Sequence, residues 1–386
     1  MAYDKVVDSA ALDSKLTQVA DAIRTKGNTS ADLQFPSGFI SAIQAIQTGT
    51  ELQIIVSVTS GATVTATKGS KVVSGTAING TCTLTVPEAG TWSVKATHNG
   101  QTSGTKSVTF TDRYALSLFF VSAVLNDNDW SKIKSVSDTG QGANYWSVGD
   151  RKAVTLNGTV GHLTLSNYTT YAFIIGFNHN AELEGSNRIH FQLAKTALSG
   201  GTDVCFCDDE YAPESEWSRP GAGYFVMNAS DTNSGGWKSS QMRTNICGTS
   251  LLSYSGTIIA VIPAALRAVL KSVTKNTDNT ANGGGSTASY VTATTDYFFL
   301  LSECEIYGAV SIGNKNEKNK QAQYAYYSAG NSKIKYKHNR TSVAALYLLR
   351  SPQAGASDRF VYINTDDTHN ATVAGCSLGF APGFCV

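Results

Sequence analysis

The stretch Thr81-Cys82-Thr83-Leu84-Thr85-Val86, followed by Thr91-Trp92-Ser93-Val94-Lys95-Ala96, decides the fold of the first third of the chain. An apolar side chain stands at every second position, which is the period of a strand with one face in a core and one in water. Val56, Val58, Val64 and Ala66 keep the same period. Turn pairs at Ser60-Gly61, Asn79-Gly80, Ala89-Gly90 and Asn99-Gly100 cut residues 51–112 into short strands. That spacing predicts a small antiparallel sandwich. No chemically active side chains decorate these strands, so the segment reads as a spacer.

Toward the N-terminus the period changes. Leu12, Leu16, Val19, Ala20 and Ile23 recur at three- and four-residue steps, and Phe39, Ile40, Ile43 and Ile46 form a second stripe after Pro36-Ser37. Both predict short amphipathic helices within residues 1–48, separated by the stop at Gly27-Asn28. Segments this short are marginal alone in water. Their apolar faces call for burial against symmetry mates or another protein.

Toward the C-terminus, residues 113–386 have a mixed pattern. Strand-like runs at 114–125, 170–177, 223–228, 255–262 and 296–303 are separated by long polar loops. A helix is expected over Pro263–Thr274, and Asn276–Ser289, with Gly283-Gly284-Gly285, reads as a mobile insertion. With 386 residues, two or three units are expected. The fold class is multi-domain and mainly β, with a C-terminal α+β part.

Composition narrows function. Charged residues are 15% of the chain and the net charge is +1, so no nucleic-acid partner is implied. The start MAYDKVVDSA lacks a secretory pattern, and no apolar run approaches the length of a membrane span. The expectation is synthesis in the cytoplasm without membrane insertion. The seven cysteines (82, 205, 207, 247, 304, 376, 385) form no tight framework and read as reduced, buried thiols.

Several constellations were weighed for chemistry. Cys205-Phe206-Cys207 offers two thiolates without the second pair a structural zinc site wants. Asn364, Asp366, Thr368 and Asn370 alternate oxygen ligands but lack the glycine and terminal Glu of a calcium loop, so they read as a polar turn. Asp208, Asp209, Glu210, Asp366 and Asp367 supply carboxylates for glycoside cleavage, with no sequence sign that they converge. Lys315 to Arg340 carries seven basic residues against Glu317, interleaved with Tyr324, Tyr326, Tyr327 and Tyr336; it reads first as a solvated loop leading into a strand, with a grip on an anionic polymer as the alternative. No metal, cofactor or catalytic residue is assigned.

Five further segments occur in a telling order. They are Ala143-Asn144-Tyr145-Trp146-Ser147-Val148-Gly149-Asp150, Asn233-Ser234-Gly235-Gly236-Trp237 with Ser240-Gln241-Met242-Arg243, Phe299-Leu300-Leu301-Ser302-Glu303-Cys304-Glu305, Leu348-Leu349-Arg350-Ser351-Pro352, and Gly379-Phe380-Ala381-Pro382-Gly383-Phe384-Cys385. Together they resemble the C-type-lectin-like domains found in bacteria and their phages. The sugar-binding calcium tripeptides Glu-Pro-Asn and Trp-Asn-Asp of true C-type lectins are absent, as is the Arg-Gly-Gly-Ser-Trp signature of the formylglycine-generating enzymes. Leu12-Asp13-Ser14-Lys15-Leu16 and Ala22-Ile23-Arg24 resemble the helical opening of phage tail-associated proteins.

The resemblance implies a phage tail receptor-binding protein. Residues 1–48 would attach to other tail proteins and form a homotrimer, 51–112 would be an immunoglobulin-like spacer, and 113–386 would bind a host cell-surface glycan or protein. Such a protein would be carried on the virion and act extracellularly. The segment Tyr347–Phe384 further resembles the variable end of proteins diversified by retroelements. It implies that Arg350-Ser351-Pro352 and Gly379-Phe380 hold the scaffold. The ligand would meet Tyr347, Gln353, Ser357, Asp358, Arg359, Tyr362, Asn364, Asp367, His369 and Asn370. Tyr would supply rigid contact area, and Asn, Ser and Asp adaptable hydrogen bonds. A polysaccharide-degrading enzyme on the same architecture is the alternative.

Overall fold

A computed structural model describes residues 9–27, 30–45, 52–212 and 220–386. The protein is mainly β, with 35% of residues in strands against 22% in helices. It divides into two compact units, Met1–Leu118 and Phe119–Val386.

In the first unit, helices Ser9–Gly27 and Ser37–Ala45 pack through Ala20, Ile23 and Phe39, with Leu16, Leu33 and Ala42 around them. Only part of each expected stripe is used: Leu12, Val19, Ile40 and Ile43 stay about half exposed. Ile46 lies outside the described residues. The β part has two sheets. Gln53–Ser57 runs between Thr81–Thr85 (antiparallel) and Arg113–Ser117 (parallel). The other sheet joins Lys71–Thr76, Thr63–Lys68, Gly90–His98 and Gln101–Thr102 in that order, with Lys106–Phe110 also on Gly90–His98. The alternating residues Val56, Val64, Ala66, Cys82, Leu84, Trp92, Val94 and Ala96 are all buried. The sheets meet closely enough that a Cβ on Gly75 would lie 3.0 Å from Cys82 Sγ and from Leu84 Cδ2.

The run expected as a strand over 114–125 is therefore corrected. Its strand is Arg113–Ser117, and it belongs to the small sheet of the first unit rather than to the C-terminal part.

The second unit is built on a five-stranded antiparallel sheet ordered Phe298–Phe299, Gly383–Cys385, Ile189–Lys195, Leu163–Phe177, Arg151–Val160. The last residues of the chain thus lie inside the sheet. All seven residues of Ile189–Lys195 are buried, as expected of a strand paired on both edges and covered on both faces. A hairpin, Val273–Asp278 with Val291–Asp296, and a three-stranded sheet of Tyr347–Pro352, Arg359–Ile363 and His369–Val373 complete the frame.

Five more expectations are overturned or cut back here. Residues 223–228 form no strand; Phe225, Val226 and Met227 are buried from irregular backbone. The run 255–262 contains a helical turn, Ile258–Val261. The helix expected over 263–274 is the single turn Ala264–Arg267, because Val273 already starts the hairpin. Asn276–Ser289 is no loose insertion: Asn276–Asp278 lie in the hairpin, and the connection is pinned by Asn279 N–H to Tyr290 O (2.9 Å) and Gly235 N–H to Thr280 O (3.1 Å). Short apolar runs do not declare their periodicity, and long-range pairing chose among the alternatives. The strand over 296–303 shrinks to Phe298–Phe299, since Ser302 and Glu305 form a capping box that starts a helix at Glu303.

Candidate functional site

The three-stranded sheet from Tyr347 to Val373 is the frame of the site, and a buried charge network underlies it. Arg350 is fully buried, donating from Nε to Thr277 Oγ1 (2.8 Å) and from Nη1 to Leu300 O (2.8 Å), and it also pairs with Glu305. Lys275, equally buried, reaches Glu184 Oε2 (2.6 Å), Glu305 Oε1 (2.8 Å) and the Tyr324 hydroxyl (2.8 Å). Burial alone would raise the Glu305 carboxyl, but Arg350 and Lys275 outweigh it and hold it far below the usual carboxylate range. Two cations thus face two carboxylates in a space closed to water.

Beside them, burial and Lys275 push the His179 imidazole down to about 3, so the ring is neutral, and it stacks on Tyr324 at 3.8 Å. Among the described residues, His179, Glu184 and Glu305 are the group whose ligand atoms could share an ion, lying within 4.8 Å of one another. The Lys275 ammonium already bridges both carboxylates and supplies the positive charge an ion would bring. The network is a clamp joining the hairpin, the helix after Ser302 and the Arg350 strand.

The ten ligand residues expected from the sequence separate into three groups. Tyr347 and Tyr362 are fully buried, which corrects their assignment to a binding face. Tyr347 donates its hydroxyl to Lys333 O at 2.8 Å and belongs to the frame. Gln353, Ser357, Asp358 and Arg359 lie at one end of strand Arg359–Ile363; Asn364, Asp367, His369 and Asn370 lie at the other. At about 3.3 Å per residue, that strand sets the two groups roughly 13 Å apart.

The first end is a junction of three loops, and the residue that joins them is Asn233. Fully buried, it donates from Nδ2 to Ala356 O (2.8 Å) and Arg359 O (3.0 Å), and accepts from Asn282 N–H at Oδ1 (2.9 Å). Its own N–H donates to Ser357 O (2.8 Å), and Gly355 N–H donates to Gly284 O (2.8 Å). Ser234, Asn282, Gly283, Ser286 and Ser357 are left exposed on this rigid junction, with Asp358 and Arg359 half-buried among them. Asn233 stands in the Asn-Ser-Gly-Gly-Trp segment noted above, but its role was missed; a buried Asn before a glycine pair was the available signal.

At the second end, Asp367 binds Lys333 (N–H 2.7 Å, Nζ 3.2 Å) and His369 stacks on Tyr307 at 4.2 Å. His369 Nε2 lies 2.9 Å from both Ser311 Oγ and Glu303 Oε1. A nucleophilic triad needs the two imidazole nitrogens to face different partners, and here a single nitrogen meets both. Glu303 also accepts N–H donation from Ser311, Ile312 and Gly313. Burial works against its charge, yet the His369 imidazole and then these N–H donors hold its carboxyl down at about 2. The cluster fastens the 308–313 loop to the helix that starts at Glu303 and to strand His369–Val373.

The remaining constellations are absorbed by structure. Cys205 and Cys207 are buried with sulfurs 3.9 Å apart, and all seven cysteines are free. Asp366 accepts from Thr368 N–H and Oγ1, closing the 364–368 turn. Asp208 is used by Phe225 N–H and Ser377 Oγ. The basic segment is corrected as a polymer grip: Tyr324, Tyr326, Tyr327 and Lys335 are buried, Lys337 lies over the Tyr211 ring, and Lys320 donates to Val291 O. Lys315, Lys318, Lys320 and Arg340 remain exposed residues.

No described helix is long and apolar enough to cross a membrane. No curated protein matches the chain. A family model described as a domain of unknown function (DUF6273) matches residues 224–386, a span that holds the hairpin, Lys275, Glu305 and Arg350 of the clamp but not Glu184, together with Asn233 and all ten expected ligand residues.

Proposed function

We propose that the chain is a phage tail-associated host-attachment protein that recognises a cell-surface ligand through its C-terminal unit. In this reading the two-sheet part of the first unit is an immunoglobulin-like spacer, the second unit a variant of the C-type-lectin-like fold, and the N-terminal helices the attachment and trimerisation element. One observation carries it: three loops, locked together by Asn233, present exposed Ser, Gly and Asn with Asp358 and Arg359 on a buried, charge-clamped frame. That is the division of labour of a recognition surface, with adaptable polar contacts on a pre-organised support. Diversification by a retroelement would act on such loops without disturbing the frame. The half-exposed Leu12, Val19, Ile40 and Ile43 support the helices as a contact with further copies or other tail proteins. Against polysaccharide cleavage, Asp208, Asp366 and Asp367 are each engaged in separate local bonds.

The test is binding of the fluorescently labelled full chain to host cells, compared with Ser357→Trp, Asp358→Ala and Arg359→Ala variants. Saturable binding that falls at least about tenfold in the variants supports the reading, since a lost charged hydrogen bond is worth about 1.5–3 kcal/mol. Undiminished binding moves the ligand elsewhere, and oligosaccharide release would make the protein an enzyme.

A further inference from the structure

A second recognition feature lies away from the three-loop face, where strand Arg151–Val160 begins. A depression of about 400 Å³ is lined by Val124, Asn126, Asp150, Arg151 and Leu198, among others. Its size falls within the range of small-molecule pockets, roughly 300–1,000 Å³. The walls are held by part of each polar group only. Arg151 donates from Nη1 to Ala197 O (2.7 Å) and Gly200 O (2.5 Å), which fixes the loop carrying Leu198. Asp150 accepts Ser147 N–H at Oδ2 (2.8 Å), and Asn126 accepts Ala153 N–H at Oδ1 (2.9 Å). Among the described residues, nothing pairs with Arg151 Nε and Nη2, Asp150 Oδ1 or Asn126 Nδ2. Val124 and Leu198 are 57% and 46% exposed at the rim.

We propose that this depression binds one pyranose ring of a neutral carbohydrate. A sugar hydroxyl donates and accepts at once, so a vicinal pair can donate to Asp150 while accepting from Arg151 and Asn126. The aliphatic side chains of Val124 and Leu198 suit the C–H faces of the ring. An isolated anion such as phosphate is repelled by Asp150, and an isolated cation by Arg151. An apolar ligand would leave all three polar groups unpaired. The site is distinct from the three-loop face and does not depend on it.

The experiment is titration of the full-length protein with glucose, galactose, rhamnose and N-acetylglucosamine at millimolar concentrations, followed by calorimetry and ligand-observed NMR. At least one sugar is expected to bind, with Asp150→Ala weakening it about tenfold or more. Because Asp150 also supports the local turn, Leu198→Trp serves as the second variant: it fills the depression while sparing every hydrogen bond named above, and it is expected to abolish binding. Arg359→Ala, on the three-loop face, should leave sugar affinity unchanged even where it lowers binding to cells. Failure of all four sugars to bind the unaltered protein, or binding that survives Leu198→Trp, overturns the proposal.

Discussion

Lys275 Nζ lies 2.8 Å from Glu305 Oε1 with both side chains fully buried, and the same carboxylate pairs with Arg350 on its other oxygen. Removing the shared anion leaves two buried cations with only Glu184, on Lys275, as a carboxylate partner. Glu305→Gln is therefore expected to cost about 3–5 kcal/mol. Disrupting the exposed Lys134–Asp138 pair, four residues apart on a helix, should cost about 0.3–0.5 kcal/mol. Urea denaturation of Glu305→Gln and Lys134→Met side by side checks the contrast, since Asp138 must stay to hold Lys271 at 2.7 Å; equal costs would mean the clamp does not hold the frame.

Asn233 offers a test of pre-organisation. Asn233→Ala removes two donors and one acceptor from the loop junction. Burial of the orphaned carbonyls should cost about 1–3 kcal/mol. Hydrogen exchange should quicken at the Asn282 amide and over residues 353–359, while the amides of Ile189–Lys195 stay protected. Cell binding should fall along with loop order.

Gly379 is a steric prediction. A Cβ there would sit 2.3 Å from Cys205 Sγ and 2.8 Å from Leu346 O. Gly379→Ala should lower stability by about 1–3 kcal/mol through overpacking. Adding Cys205→Ala removes the nearest obstructing atom and should recover part of the loss. A strictly additive double variant in thermal melts would place the strain elsewhere.

Stability should also depend on pH through neutral buried histidines. His338 accepts Cys207 N–H at Nδ1 (3.1 Å), and burial pushes its imidazole down to about 4. Its folded value lies below the unfolded value of about 6.5, so the unfolded chain binds more protons between them. The contribution is full above about pH 6.5 and is lost as pH falls toward 4, with a slope of at most about 1.4 kcal/mol per pH unit. His179, held at about 3, acts in the same direction. In His338→Gln the slope of unfolding free energy between pH 4 and 6.5 should flatten; an unchanged slope would show that His338 does not couple folding to protons.

The Arg350 and Gly379 segments stand out in the sequence only through the resemblance to lectin-like variable proteins, and both prove to be buried. What surrounds them could not be read the same way. Tyr347 and Tyr362 have the composition of a binding surface, yet both are buried. Ser357 and Asn370 resemble them in sequence context and remain exposed. The difference is which side of a strand meets another layer, and no local pattern records that. For the same reason, nothing local records that Tyr324, Tyr326 and Tyr327, interleaved among the Lys of 315–340, are buried.

By itself the sequence determined the strands that carry Val56, Val64, Ala66, Cys82, Leu84, Trp92 and Val94 and the two N-terminal helices, because side-chain alternation and the helical repeat are properties of neighbouring residues. Tertiary structure alone decided the rest: that Lys275 meets Glu184, 91 residues away, that Asn233 reaches Arg359, and that the final strand lies between Phe298–Phe299 and Ile189–Lys195. A buried charge or polar group is tolerable only with a partner, and the partner's identity is set by where the whole chain brings its distant segments together.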